Sequence, residues 1–259
     1  MSGGSPGDNS ARQGLGSRLV QAAFVAGLLA LWWLGTHQWG INQLLLPKPE
    51  NVWHELIDIL GSGEFIPDLL VTLGELAAAF AISLSLGVTT GFLASRSRWL
   101  IAVFEPLLAG IYAIPIILFL PLYILLFGLG PPSKIALGAT ISFFPIVLST
   151  IAGFGNVDAI HLTAARSMGA SPWALFRHVL LPAALPVMLT GLRMGFTVAL
   201  LSIIGSETIA SLAGLGHRIV HLAEGMEMAR MFAYIVFVVA IAAGLNGVVS
   251  GLELRGRRG

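Results

Sequence analysis

Cysteine is absent from all 259 residues, which excludes disulfides, thiolate metal sites and a cysteine nucleophile together. Charge is nearly as scarce, because Asp, Glu, Lys and Arg make up only 10% of the chain and hydrophobic residues 56%. Soluble domains carry about 25% charged residues. The bilayer is the solvent that fits this composition, and no block of the chain looks soluble and large enough to bury its own core. Net charge is +1, with no basic face interleaved with aromatics, so nucleic acid is not an expected partner. A His-Glu-x-x-His helix is also missing, and the one Gly-x-Ser-x-Gly pattern, Gly3 to Gly7, stands in the polar amino-terminal segment and makes no elbow between strand and helix, so an intramembrane enzyme has no catalytic set to use. A phosphate-binding loop is lacking too. Its nearest approach, Gly128 to Lys134, has no glycine before the lysine.

What is present is a series of apolar runs: Leu19 to Gly35, Leu69 to Leu93, Ile101 to Phe127, Ile135 to Phe154, Val187 to Ile204 and Met231 to Leu252. Each is near the ~20 residues that cross a hydrocarbon core, where only helices or closed barrels satisfy the backbone. The expectation is an all-α integral membrane protein with about six transmembrane helices. Residues 1–17 read as a disordered cytoplasmic tail, 18–254 as the membrane domain with a cytoplasmic loop at 156–186, and 255–259 as a basic cytoplasmic tail. Arg12 and Arg18 precede an apolar run as in a secretory signal. Thr36-His37-Gln38-Trp39 offers no small-residue cleavage site, so a retained first span is expected. An inside amino terminus puts most arginines, including Arg96, Arg98, Arg166, Arg177 and Arg193, on or near the cytoplasmic side. Only Lys48, Lys134, Arg218 and Arg230 fall outside, which satisfies the positive-inside rule and places both termini in the cytoplasm.

Pro106, Pro115 and Pro121 interrupt the third run, and each removes a helix hydrogen bond, so that span is expected to be bent or broken. Pro115 is therefore a candidate gate residue. The pairs Gly87/Gly91, Gly191/Gly195 and Gly247/Gly251 have the spacing that lets transmembrane helices approach closely, for packing or for dimerisation. Glu75 and Glu207 stand toward the outer half of their spans and can face a pathway or a neighbouring helix. Glu105 is expected near a helix start, where the dipole favours an anion, and Arg193 near enough to a span end to snorkel. His217, His221 and Glu224 share a helical face, but an outer amphipathic helix explains them better than a metal site, so no metal is expected.

The loop after the fourth run carries the strongest helix signals. Asn156 or Asp158 can cap a helix through Met168, Gly169 can end it in the left-handed region, and Ser171 with Pro172 can start a second helix over Trp173 to Leu180. Pro182 and Pro186 then return the chain to the membrane. Small Ala164, Ala165 and Gly169 at the turn leave room for a partner's backbone, while Leu175, Phe176 and Val179 can anchor the second helix. An amphipathic hairpin lying on the bilayer is the other reading, for which Trp173, Phe176 and Arg177 are suitable.

At this spacing the loop resembles that of the membrane permeases of ATP-binding-cassette (ABC) importers, which have Glu-Ala-Ala, three residues, Gly, nine residues, then Ile-x-Leu-Pro. Ala164-Ala165, Gly169 and Leu181-Pro182 match, Val179 replaces Ile, and Thr163 stands where the glutamate is expected. Leu46-Pro47-Lys48-Pro49, Ile114-Pro115 through Gly130, Phe143-Phe144-Pro145 and Thr190-Gly191-Leu192-Arg193 are similar to permeases for nitrate, aliphatic sulfonates and taurine, although Leu118 departs from the expected small residue. The resemblance implies a type I importer permease fold in a bacterial inner membrane, with two permease copies, two ATP-binding subunits holding ATP and Mg, and an extracytoplasmic binding protein. It implies an ATPase docking site at Thr163, Ala164, Ala165, Arg166, Gly169, Ala170 and Ser171, with Pro172, Val179, Leu181 and Pro182 shaping the loop. The implied cargo is a small anion such as a sulfonate, taurine or nitrate. The alternatives are a vitamin or pyrimidine precursor within the same class, or a secondary transporter driven by an ion gradient. This chain is expected to bind no cofactor itself.

Overall fold

The structure is a computed structural model that describes residues 6–256, and every regular element among them is helical. In chain order these are α1 (Pro6–His37), α2 (Pro49–Ser62), α3 (Ile66–Ala94), α4 (Arg98–Tyr112), a 3₁₀ turn (Ile116–Phe119), α5 (Leu120–Phe127), α6 (Pro131–Gly155) and α7 (Ala159–Ser167). After these, α8 (Pro172–Leu175) runs through a π turn (Phe176–Leu180) into α9 (Leu181–Ile209), followed by α10 (Leu215–Glu224) and α11 (Met228–Gly256). Five helices are long and apolar enough to cross a membrane, and the bent pair of α4 with the segment Ile116–Phe127 brings the number to six when it is counted as one span.

Contacts divide the chain into two compact units, residues 1–62 with 222–233 and residues 63–221 with 234–259. In the first, Leu46 to Pro49 form the turn into α2. The Trp32 indole N–H donates to the Pro47 carbonyl at 3.0 Å, and His37 lies 3.7 Å from Glu50. Arg230 reaches Glu55 at 3.9 Å and Asp58 at 3.7 Å. Helix α2 is absent from the sequence expectations, yet its signals are local: Pro49 at the first position, Glu50 in the first turn, and Val52 and Ile59 seven residues apart, both buried.

The second unit is organised around α6, which packs against α3, α9, α4 and α5. Glycine explains how closely. A Cβ on Gly87 would stand 2.8 Å from Ile146, one on Gly91 2.6 Å from Thr150, and one on Gly195 2.6 Å from Ile146. The glycine stripes of α3 and α9 are thus contact faces against one helix, while Gly247 and Gly251 face open space in this chain.

The third span is broken at Pro115, whereas Pro106 lies inside α4 without ending it. Helices α4 and α5 meet at 71°, with Pro115 at the break and Pro121 in the first turn of α5, where a missing N–H costs nothing. Two expectations are corrected. Residues 6–17 continue α1 instead of forming a tail, since extending a nucleated helix is cheaper than starting one, and residues 1–5 and 257–259 lie outside the described residues. The second helix of the 156–186 loop does not stop at Pro182. The π turn, with the Leu181 N–H bonded to the Phe176 carbonyl, widens the helix just before the proline ring, and the chain continues helical to Ile209.

Candidate functional site

The α7–α8 hairpin is set by local chemistry. Asp158 caps α7 by accepting from the Ile160 N–H at 2.9 Å, and Asn156 instead closes α6. Gly169 follows with φ +78°, and its N–H donates to the Arg166 carbonyl at 3.0 Å. Ser171 then caps α8 by accepting from the Ala174 N–H at 3.2 Å, with Pro172 in the first turn. An aromatic cluster fixes the hairpin to the spans: Phe176 lies 5.5 Å from Phe92 and 6.2 Å from Phe154, ring centre to ring centre.

Thr163, Ala164, Arg166, Gly169 and Ser171 are exposed, Ala170 is half-buried, and Ala165 is buried at 6%. Ala165 is therefore not open to a partner. Leu175 on the second limb is also buried, as expected when each helix of such a pair hides one stripe. Among the loop-shaping residues, Pro172 and Pro182 are exposed, and Val179 and Leu181 are half-buried.

Away from the hairpin, both candidate pathway carboxylates are buried; Glu207 is hydrogen-bonded, whereas Glu75 has the Lys134 ammonium beside it and no hydrogen-bond partner among the described residues. Glu75 on α3 and Lys134 on α6 are each 2% exposed and 3.1 Å apart, and the Lys134 ammonium also donates to the Ser211 hydroxyl at 2.6 Å. Glu207 on α9 accepts from Thr72 at 2.7 Å and from the Gly216 N–H at 2.8 Å, while Asp68 accepts from the Gly214 N–H at 3.1 Å. Both glutamates thus face neighbouring elements and tie the turn before α10 onto α3. Lys134, read from the sequence only as an outer cation, is the missed member of this network. Arg218 on α10 reaches Glu64 at 3.6 Å and Asp68 at 3.9 Å. A hydrogen bond with Tyr234 raises the Arg218 pKa, burial opposes that, and the charges of Glu64 and Asp68 add to it.

Two further expectations change. Glu105 is not in the first turn of its helix, which begins at Arg98, and its side chain is exposed beside a cavity of about 600 Å³ between α4, α6 and α9. Arg193 does not merely snorkel, because it lies 3.4 Å from the buried Glu253, which also accepts from Thr190 at 3.2 Å. Among the described residues no group of three His, Asp or Glu is placed to hold a metal ion.

Residues 83–257 match the family described as binding-protein-dependent transport system inner membrane component. The chain is 31% identical over 236 residues to the taurine transport system permease protein TauC of Escherichia coli (strain K12), covering 89% of this chain and 86% of that one. It is 33% identical to the riboflavin transport system permease protein RibX of Chloroflexus aurantiacus over 77% of this chain and 74% of the relative. It is 28% identical to the putative aliphatic sulfonates transport permease protein SsuC of Bacillus subtilis (strain 168), over 88% and 83%. Among solved structures, a chain of an amino acid ABC transporter superposes with a TM-score of 0.61 at 23% identity, covering 78% of this chain and 97% of that one. A chain of the inward-facing MetNI methionine ABC transporter gives 0.60 at 18%, covering 72% and 93%. The fold is that of an ABC importer permease, a multi-pass membrane subunit that is not catalytic and leaves ATP to a separate ATPase subunit, so the ion-gradient alternative falls away. Matched along two thirds of its length and related at 31% identity across nine tenths, this chain belongs to the binding-protein-dependent transport system inner membrane components.

Proposed function

We propose that two copies of this chain form the pathway of an importer for a small organic sulfonate of the taurine type, with both termini in the cytoplasm and one ATPase subunit docked on each α7–α8 hairpin. The observation that carries the docking reading is the division of the hairpin into two faces. Thr163, Ala164, Arg166 and Gly169 are exposed, while Leu175 is buried and Phe176 packs on Phe92 and Phe154. A subunit gripping the exposed face can move the span ends through the aromatic one. Thr163 donates to the Ala159 carbonyl at 2.9 Å, so a neutral side chain tied to its own helix stands where the resemblance leads one to expect a glutamate. Contact there is expected to rest on shape and on Arg166.

Gly169 separates docking from folding. No atom lies within 4 Å of a Cβ built there, so bulk is tolerated inside the chain, and φ +78° is a conformation that Asn also adopts. Gly169→Asn is expected to keep ATPase co-purification and uptake, whereas Gly169→Trp keeps membrane insertion and loses both. Full ATPase association and uptake by the Trp variant would refute the docking face. The cargo reading rests on the names of TauC and SsuC, and RibX supports a riboflavin-type second reading. Calorimetry of the cognate binding protein with taurine, an alkanesulfonate and riboflavin decides between them.

A further inference from the structure

Beside the hairpin, where α3 ends, α4 begins, α6 ends and α8 starts, lies a cavity of about 650 Å³. Arg96, Arg98 and Arg166 line it, and no carboxylate does. All three are exposed, and among the described residues none makes an ion pair; Arg96 only rests over the Phe92 ring at 5.9 Å. Lys134, Arg193, Arg218 and Arg230 each stand within 4 Å of a carboxylate, while Lys48 and Arg177 are without an ion pair among the described residues but stand singly, outside the cavity. Three guanidiniums lining one cavity without a carboxylate make its charged side complementary to an anion. The rest of the wall is apolar and aromatic, with Phe154, Trp173 and Phe176. A ligand that satisfies both surfaces is an anion carried on an apolar chain.

Depth narrows the choice further. The residues of the cavity come from the ends of membrane spans, the level at which hydrocarbon gives way to headgroups. We propose that this cavity binds an anionic phospholipid, with its phosphate among the three guanidiniums and its glycerol and upper acyl chain along the aromatic wall. Guanidinium groups bind phosphate in a two-pronged geometry, and basic pockets between spans suit such headgroups. Arg96 and Arg98 flank the α3–α4 turn while Arg166 belongs to α7, so one phosphate would clamp the hairpin to the span ends. Lipid would then set how stiffly hairpin motion reaches the spans. The inference rests on the membrane reading of the chain and not on ATPase docking.

The test is titration of the detergent-purified full chain with fluorescent phosphatidylglycerol and with phosphatidylcholine of the same acyl chains. Phosphatidylglycerol is expected to bind more tightly, and the R96Q/R98Q variant to bind it roughly ten- to thirty-fold more weakly. Arg96→Lys with Arg98→Lys should keep most of the preference, and Arg177→Gln, on the same hairpin but outside the cavity, all of it. Equal binding of the two lipids would overturn the proposal, as would wild-type affinity in R96Q/R98Q. Equally damaging would be competition by glycerophosphoglycerol, which lacks acyl chains, at the same concentrations as the lipid. ATPase co-purification is followed in parallel. A variant that loses the ATPase but keeps its lipid preference would assign the cavity to the protein partner and overturn the lipid site. One that loses lipid and keeps the ATPase supports it and leaves the docking reading intact.

Discussion

At the scale of single residues, the buried pair of Lys134 and Glu75 shows how a span tolerates charge. Each is 2% exposed, so neither has water to fall back on. Removing one partner of such a pair costs about 3–5 kcal/mol, whereas replacing both with apolar residues of similar volume is often neutral. Lys134→Met is therefore expected to lower the melting temperature of the detergent-solubilised chain sharply, and adding Glu75→Met to recover most of the loss. Two melts that coincide with the wild type would show that the pair carries no stability. A second comparison uses glycines on the same stretch of chain. Gly214 has φ +108°, and a Cβ there would meet the Glu207 carboxylate, while Gly205 sits inside α9 with nothing within 4 Å. Gly205→Ala should gain roughly 0.5–1 kcal/mol from helix propensity. Gly214→Ala combines backbone strain with displacement of Glu207 from the Gly216 N–H, so its melting temperature should fall.

The elements differ in how far the sequence reveals them, and the hairpin shows why. Its caps at Asp158 and Ser171, its turn at Gly169 and the break at Pro115 were legible because each follows from a side chain acting on backbone within four residues. The burial of Ala165 was not, since it depends on which limb packs where. Nor was the π turn, which reconciles Pro182 with a helix that membrane packing prefers to continue. The pairing of Glu75 with Lys134 joins two helices far apart in sequence, so no local pattern announces it. Phe176 gives an element-scale prediction. If the hairpin transmits movement through the aromatic cluster, Phe176→Ala removes its contacts to Phe92 and Phe154 and leaves the exposed α7 face untouched. ATPase co-purification should persist while uptake per ATP hydrolysed falls in proteoliposomes. Loss of association with unchanged coupling would make Phe176 part of the docking face instead.

At the scale of the whole molecule, the decisive quantity is which side of the membrane the hairpin occupies, because an ATPase can reach it only from within. Charge favours the inside. Arg96, Arg98 and Arg166 beside the hairpin have no ion-pair partner among the described residues, while Lys134, Arg218 and Arg230, three of the four cations assigned outside, each lie near carboxylates. Unpaired arginine retained on the cytoplasmic side is what the insertion rule selects, since lysine and arginine near short spans resist translocation. The absence of cysteine makes this testable with a single added thiol. Thr163 is exposed on α7, and Leu212, 77% exposed, lies in the turn between α9 and α10. One crossing of α9 separates them. A membrane-impermeant maleimide applied to intact spheroplasts should therefore label Leu212→Cys and spare Thr163→Cys, and inside-out vesicles should reverse the pattern. Labelling of Thr163→Cys from outside would put the hairpin and its arginines beyond the reach of any cytoplasmic ATPase. The mechanical reading of α7 would then fail even though the chain's place in the importer family stands.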